Sequence, residues 1–497
     1  MRKRRMVVVS NRLPVTLHDG PDGFEVQASS GGLVSALLPI FREMGGSWIG
    51  WPGVADCSPE VSEVLKLECG PTYSFEAVAL SAKDRAMFYH GCSNEIIWPL
   101  FHDLQSRCRF DPAFWDSYTD VNTRFADSVQ AITTQHDFVW VHDYHLMMVA
   151  AVLRERGSSV RLGYFHHIPF PSPDIFEKLP WRKQILEGLL SFNTVGFQSD
   201  RDRRNFVACA QRQLGKIRLQ RTDNLYRIEF RGQSSTLGTF PISIDFDAWS
   251  QAARQPTVTE FTRDIRNGSK GRQLIVGIDR LDYTKGIPER LLAFAALLRD
   301  NPGRRKRVSL IQVAVPSREE IENYSDLRAQ IERRVGEING TYGSTDWCPV
   351  TYMHRSLAPE ELLALYRAAD VMLVTPLKDG MNLVAKEFCA ARNDHSGVLI
   401  LSEFAGAAAE LRCGALLINP YDSHSICSAL TRAMQMDRLS RAHRMRHMRD
   451  VIRKHDVYAW RDKFLAAAIA EDNVGPSAVA SVHLPEEDIQ QLSARAI

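Results

Sequence analysis

Residues 371–388, VMLVTPLKDGMNLVAKEF, hold the densest chemical signal in the chain. A β-branched apolar run ends at Thr375-Pro376, a polar turn Lys378-Asp379-Gly380 follows, and residues 381–388 read as a helix starting close to that turn. Unpaired amides and the dipole at a helix N-terminus favour an anion, so a phosphate suits this turn. Glu387 lies further along the same helix, where a carboxylate can accept hydrogen bonds from sugar hydroxyls. The segment therefore asks for a phosphorylated sugar of the nucleotide-sugar kind.

A second signal, DRLDYTKG at 279–286, follows the apolar run 274–278 directly. Arg280 and Lys285 are cations near a strand end, placed to neutralise a diphosphate leaving group as its charge develops. Arg318, in Pro316-Ser317-Arg318, offers a third cation. One Arg and one Lys on a loop are ordinarily a solvated face. Here they follow buried strands, and all three loops fall in the second half of the chain, as one anion site requires.

The first half supplies a different set. Ser10-Asn11-Arg12 follows the first strand, and Ser30-Gly31-Gly32-Leu33 opens the next helical pattern, its glycines admitting close approach of a ligand to backbone. His142-Asp143-Tyr144-His145 follows the strand 138–141, and His166-His167-Ile168-Pro169-Phe170-Pro171 follows the strand 162–165. Asp143 can bind acceptor hydroxyls, and His167 can hydrogen-bond a reacting hydroxyl or a sugar in transfer. HDYH lacks the HExxH spacing and the second histidine pair is adjacent, which argues against a metal, and His145 reads as structural. In the aromatic run WIGWPG, Trp51 reads as core; Tyr89 and Trp98 flank Ser93-Asn94 and stay open between core and site, since buried Tyr and Trp need polar partners.

These loops need α/β elements to hold them. Runs at 7–9, 138–141, 162–165, 194–197, 274–278, 309–315, 371–374 and 398–401 alternate with helical patterns, the sign of parallel sheets. A polar stretch at 220–235 and the segment 241–245 separate two groups of strands, which predicts two nucleotide-binding-type domains facing a cleft at the carboxyl ends of their strands. Neither GxGxxG nor GxxxxGK[ST] occurs, so dinucleotide and P-loop readings lose their usual support.

Composition agrees. The 497 residues exceed what one core usually holds, 44% hydrophobic and 24% charged residues match average globular usage, and 61 basic against 59 acidic residues exclude a global attraction to nucleic acid. The nine cysteines show no CxxC or zinc-like spacing and read as reduced thiols. After MRKRR the apolar run stops at Ser10, too short for a signal peptide or a membrane span.

The motifs VVVSNRLPV, GGLVSAL, WIGWPG, SNEIIWPLFH, VWVHDYHL, HIPFPSPDIF, LPWR, GIDRLDYTKGIPERL, EINGTYG, TPLKDGMNLVAKEF and LSEFAGAAAEL, in this order over residues 6–465, resemble the trehalose-6-phosphate synthases, retaining glycosyltransferases of family 20. The resemblance implies the GT-B fold, two Rossmann-like domains facing a central cleft. It divides the chain into an acceptor-binding domain (1–245), a nucleotide-sugar-binding domain (246–455), a C-terminal helix packing back on the first domain (456–470) and a mobile tail (471–497). The implied activity is glucose transfer from UDP-glucose to glucose 6-phosphate, with no cofactor and no metal.

Residue by residue, Arg12, Tyr89, Trp98, Asp143 and Arg318 match positions that hold glucose 6-phosphate. Gly31, Gly32, His167, Arg280, Lys285, Leu357, Asp379, Gly380, Met381, Asn382, Leu383, Val384 and Glu387 match those that hold UDP-glucose. Asp143, His167, Arg280, Lys285 and Asp379 form the implied catalytic set. A cytoplasmic homo-oligomer with small-molecule substrates, and with neither nucleic acid nor membrane, completes the expectation. His166 departs from the pattern: many relatives carry Leu there, and FHH is more similar to glucosylglycerol-phosphate synthases, which use glycerol 3-phosphate and commonly ADP-glucose. VVVSNRLPV and RLDYTKG favour the trehalose enzymes. A catalytically silent sugar-phosphate sensor is the alternative of another class, and retention of every matched polar position argues against it.

Overall fold

The first eleven strands are β1 (Met6–Arg12), β2 (Val15–Gly20), β3 (Gly23–Ala28), β4 (Gly46–Trp51), β5 (Tyr73–Ala77), β6 (Phe138–His142), β7 (Arg161–His166), β8 (Thr194–Phe197), β9 (Arg218–Thr222), β10 (Leu225–Phe230) and β11 (Gln233–Thr239). The computed structural model describes residues 4–20, 23–29, 31–222, 225–318 and 321–469; Ser30, the first three residues and the expected tail 471–497 lie outside it. β1 is apolar on both faces: Val7 and Val9 feed one apolar layer, Met6 and Val8 the other. A strand covered on both sides needs a near-continuous hydrophobic run, which is why the β-branched runs in the sequence mark the parallel strands.

Nine strands form the first sheet, in the order β5-β4-β1-β6-β7-β8-β11-β10-β9, and β2 and β3 form a separate hairpin. The polar stretch 220–235, which the sequence suggests as a separator, instead extends this sheet: β9, β10 and β11 pair antiparallel, and β11 joins β8 in parallel. β9 is almost wholly exposed, so it carries no buried run to announce it.

The second sheet holds β12 (Gln273–Arg280), β13 (Val308–Val315), β14 (Val350–Met353), β15 (Val371–Val374), β16 (Val398–Ser402) and β17 (Leu416–Ile418), all parallel, in the order β14-β13-β12-β15-β16-β17. Counted by appearance, with the β2–β3 hairpin left aside, the second sheet and the six parallel strands at one side of the first sheet run 3-2-1-4-5-6. The order reverses between β1 and β6 in one and between β12 and β15 in the other. Crevices at such reversals, outside the carboxyl ends of the strands, are where ligands bind.

The helix Val457–Ile469 returns to the first sheet. Phe464 stacks on Trp140, ring centroids 4.6 Å apart, and Trp460 Nε1 donates to the Phe240 carbonyl at 3.1 Å. β7 and β8 admit the Phe464 ring because Gly163 and Gly196 carry no side chain: a Cβ would lie 3.1 and 2.9 Å from it. Among the described residues no helix is long and apolar enough to cross a membrane, and no group of His, Cys, Asp and Glu is arranged to hold a metal ion.

Candidate active site

On the second sheet, the loops after β12 and β15 lie side by side at the reversal. They are tied together by Arg290, a fully buried guanidinium on the helix Ile287–Asp300, which donates to Thr375 Oγ1 at 3.1 Å and Gln312 Oε1 at 2.9 Å and pairs with Asp279 Oδ2 at 2.7 Å. Lys285 Nζ donates to Asp379 Oδ2, which also receives Asn382 Nδ2 at 3.2 Å, while the Met381 amide approaches Oδ1 at 3.3 Å. Burial works to raise the Asp379 carboxyl, but the charge and hydrogen bond of Lys285 outweigh it and hold the group below the usual range.

The helix begins at Leu383, two residues later than the sequence suggests. Asn382 takes a left-handed backbone (φ 62°) and caps the helix through its side chain, accepting from the Ala385 amide at 3.2 Å. The amides of Gly380 and Met381 therefore belong to the turn. Glu387 is buried one turn along and accepts a hydrogen bond from Tyr366 Oη at 2.9 Å; burial pushes its carboxyl up to about 7.

Across from these loops, the helical segment Arg85–Ile97 is wound wide, with hydrogen bonds spanning five residues where an α-helix spans four; the Trp98 amide reaches the Ser93 carbonyl. Such winding is rare and recurs at functional sites. It lines a cleft of about 340 Å³ formed by Arg12, Trp51, Arg85, Tyr89, His90, Pro316, Ser317 and Arg318. The Arg12 guanidinium lies 4.9 Å from the Trp51 ring centre and 5.6 Å from that of Tyr89. Arg318 adopts a left-handed backbone (φ 52°) and donates to Tyr324 Oη at 2.7 Å and Tyr144 Oη at 3.1 Å. Tyr144 passes the chain to Asn94 Oδ1 at 2.9 Å, and Asn94 Nδ2 donates to the Tyr89 carbonyl at 2.7 Å.

Asp143 also has a positive φ, 74°, directly after β6. Strained backbone of this kind in a non-glycine residue persists where the surroundings impose it, commonly at functional sites. Burial raises its carboxyl to about 7 against the opposing amides of Tyr144 and His167 and the charges of Arg318 and Arg280. Asp143 Oδ1 and Trp98 Nε1 are buried without hydrogen-bond partners among the described residues, and buried polar atoms of this kind call for partners from elsewhere.

His167 joins the two halves. Its Nδ1 lies 3.3 Å from Met381 Sδ, and its Nε2 shares a 3.0 Å hydrogen bond with His142 Nδ1. Gly380 packs so closely that a Cβ would sit 2.1 Å from the His167 carbonyl oxygen. His166 points the other way, among Phe101, Phe170 and Phe197 and bonded to Tyr164 Oη at 3.1 Å. Neighbouring residues at a strand end face opposite sides.

The structure thus brings Arg12, Tyr89 and Arg318 into one cleft, with Arg318 against Trp98, and brings Lys285, Asp379, Gly380, Met381 and Asn382 into one turn beside His167. Gly32 begins the helix Gly32–Met44, whose N-cap Gly31 is exposed, and faces Leu383, whose Cδ1 would touch a Cβ at 3.4 Å. Leu357 follows β14 and, like Val384, is half-buried against the shared apolar layer. Trp51 is buried, as its core reading has it, yet its ring also forms part of the cleft wall. His145 stacks beneath Tyr89 with ring centres 5.8 Å apart, a structural role. Sequence reasoning missed Arg85, whose only signal was its place four residues before Tyr89, and Tyr366 and Arg290, which act from beneath the loops.

A reversal-point crevice bearing cationic loops and a capped turn, with a guanidinium cleft lined from both sheets' loops, defines a GT-B glycosyltransferase with two Rossmann-like sheets. The family model Glycosyltransferase family 20 matches residues 4–469, and the chain belongs to that family. It is 42% identical over 492 residues to trehalose-6-phosphate synthase of Mycolicibacterium smegmatis, covering 97% of this chain and 96% of that one. It is 43% identical over 472 residues to the Mycobacterium bovis trehalose-6-phosphate synthase, covering 93% and 94%. Among solved structures it resembles an α,α-trehalose-phosphate synthase (UDP-forming) from Burkholderia xenovorans in complex with glucose 6-phosphate, at 35% identity and TM-score 0.86 over 94% of this chain and 100% of that one. It also resembles the E. coli enzyme bound with UDP-2-fluoro glucose, at 35% identity and TM-score 0.85 over 94% and 99%.

Proposed function

We propose that this glycosyltransferase makes α,α-trehalose 6-phosphate, moving glucose from UDP-glucose to the anomeric hydroxyl of glucose 6-phosphate with retained configuration. The observation that carries the reading is the cleft that gathers Arg12, Arg85 and Arg318 around Trp51 and Tyr89. Guanidinium groups match a phosphate in both charge and hydrogen-bonding fork, and the aromatic rings suit the apolar face of a hexose. The Burkholderia relative bound to glucose 6-phosphate supports this acceptor, and the E. coli relative bound with UDP-2-fluoro glucose supports a UDP donor.

In this reading residues 1–245 bind the acceptor, 246–455 the donor, and 456–470 brace the first domain. Arg280 and Lys285 hold the diphosphate, the turn from Asp379 to Asn382 orients the donor glucose, Leu383, Val384 and Leu357 flank the nucleotide, and Glu387 takes the ribose hydroxyls. Asp143 and His167 hold the reacting sugars. The acceptor oxygen bonds to the donor anomeric carbon on the face that the diphosphate leaves. The bond from the anomeric carbon to the diphosphate oxygen breaks as the new one forms, and the acceptor proton passes to that departing phosphate oxygen. No protein nucleophile is needed, so positioning and charge neutralisation do most of the catalysis. A homo-oligomer in the cytoplasm completes the proposal; light scattering tests the first and cell fractionation the second.

The position of His166 supports the trehalose reading over glucosylglycerol phosphate, because the residue that departs from the family pattern points into an aromatic cluster and not towards Arg12 and Arg318. The test is to incubate the protein with UDP-, ADP- or GDP-glucose and either glucose 6-phosphate or glycerol 3-phosphate, and to identify products by mass spectrometry and NMR. Trehalose 6-phosphate from UDP-glucose is expected. Glucosylation of glycerol 3-phosphate alone would overturn the acceptor, and no product from any pair would leave a sensor.

A further inference from the structure

Asp282, in the RLDYTKG motif, directs its carboxylate at two of the arginines assigned above to substrate contact. Its Oδ1 accepts from the Thr284 amide at 3.0 Å and Thr284 Oγ1 at 2.9 Å, capping the turn Tyr283–Lys285. Its Oδ2 lies 3.6 Å from Arg280 Nη2 and 3.6 Å from Arg318 Nη1, and the side chain is fully buried. The same two guanidiniums share one indole: Trp98, from the opposite sheet's unit, has its ring centre 5.5 Å from Arg280 and 4.3 Å from Arg318.

The two arginines come from different places, Arg280 from the last position of β12 and Arg318 from the loop after β13, and differ in freedom. Arg318 is almost wholly buried and held by two tyrosines. Arg280 is 42% exposed, and Asp282 and Trp98 restrain it. Burial works to raise the Asp282 carboxyl, but Arg280, Arg318 and Lys285 together hold it below the usual range, so it stays ionised between them.

Building on the proposed function, we propose that Asp282 is a positioning residue that couples the two substrate sites, so that glucose 6-phosphate at Arg318 orders Arg280 for the nucleotide diphosphate. A phosphate on Arg318 fixes that guanidinium, and through the shared carboxylate and indole it restricts Arg280. A long side chain ordered in advance costs the second ligand less conformational entropy, which is positive coupling without a large movement. Coupling between binding sites is reciprocal, so UDP must tighten glucose 6-phosphate by the same factor.

The experiment is calorimetric titration of UDP into the parent protein and into Asp282→Asn, each with and without saturating glucose 6-phosphate, then the reciprocal titration. Asn keeps an oxygen to cap Thr284 but removes the charge between the arginines. Glucose 6-phosphate is expected to tighten UDP by about fivefold or more in the parent, and the factor should fall towards one in Asp282→Asn while each ligand still binds alone. An unchanged factor in the variant, or a factor of one in the parent, overturns the inference. Should Asp282→Asn fail to fold, Asp282→Ser keeps a capping oxygen for Thr284 without the charge, and the same fall or persistence of the factor decides. Failure of either ligand to bind the parent at all would count against the proposed function instead.

Discussion

His142 Nδ1 lies 3.0 Å from His167 Nε2, and the other nitrogen of His142, Nε2, is buried with no hydrogen-bond partner among the described residues. A buried orphan N–H is the costlier defect, so the proton belongs on His142 Nδ1, which donates to His167. Burial depresses both rings, so both are neutral at pH 7, and His142 is lowered to about 3. His167 then carries its own proton on Nδ1, facing Met381 Sδ at 3.3 Å and the turn that orients the sugar. His142→Phe keeps a ring and removes the donor. It should lower kcat by about tenfold, the worth of one hydrogen bond, with little change in melting temperature; an unchanged kcat would refute the assignment.

Gly380 packs directly against the backbone that follows β7. A methyl group there meets the His167 carbonyl oxygen at 2.1 Å and Ile168 Cα at 2.8 Å, both backbone atoms that cannot rotate aside. Gly380→Ala should push the turn from its place by a fraction of an ångström to an ångström. A displacement of that size costs about 10²-fold in kcat, while circular dichroism should report an intact fold. Parent-like turnover would mean that the turn is free to shift.

Much of this arrangement was legible in the sequence, for physical reasons that also explain the rest. β1, β6, β12 and β15 announce themselves because parallel strands covered on both faces need unbroken β-branched runs. The loops after them could then be named as candidate ligand loops, with Arg280, Lys285 and Asp379 as their candidate contacts. β9 and β10 were hidden because antiparallel strands with few buried residues carry no such run, and in β11 the buried positions are interrupted by half-exposed ones. Arg85 was hidden because its place in the cleft depends on the wide winding of Arg85–Ile97, which no periodicity reports. His166 looked like a change in the acceptor site, yet the two-residue alternation of a strand sends it to the opposite face from His167.

Arg85 gives the clearest test of the acceptor cleft, because it stands apart from the donor loops. Its guanidinium lies 6.0 Å from the Trp51 ring centre, on the same wall as Arg12. Removing one cationic hydrogen-bond donor from a phosphate costs roughly tenfold to a hundredfold in affinity. Arg85→Ala should therefore raise the KM for glucose 6-phosphate by roughly that factor and leave the KM for UDP-glucose within about twofold. An equal rise in both constants would place Arg85 in the fold's support and not in the cleft.

The buried histidines predict how stability answers to pH. His102, His142 and His166 are lowered by burial from 6.5 to about 3, and His145 and His167 are lowered well below 6.5. Between about pH 6.5 and 3 the unfolded chain binds protons on these rings that the folded chain refuses, so their contribution is present above 6.5 and is lost as the pH falls. Asp143 and Glu387 act oppositely: their folded values near 7 stand above 3.8 and 4.5, so they stabilise most in acid and lose that contribution as the pH rises through 7. Glu95, Asp202, Asp279 and Glu289 are raised by burial in the same sense as these two carboxyls, whereas Asp379 and Asp282, held low, add to the histidines' acid sensitivity, and the five deeply lowered histidines set the balance. The melting temperature should fall from pH 6.5 to 4.5, less steeply than the histidines alone would give because the two sets oppose across this range, and should change little above 7.5. A melting temperature that rises on acidification below 6.5 would mean that the rings accept protons in the folded state, and so that the cleft around His142 and His167 is open to water.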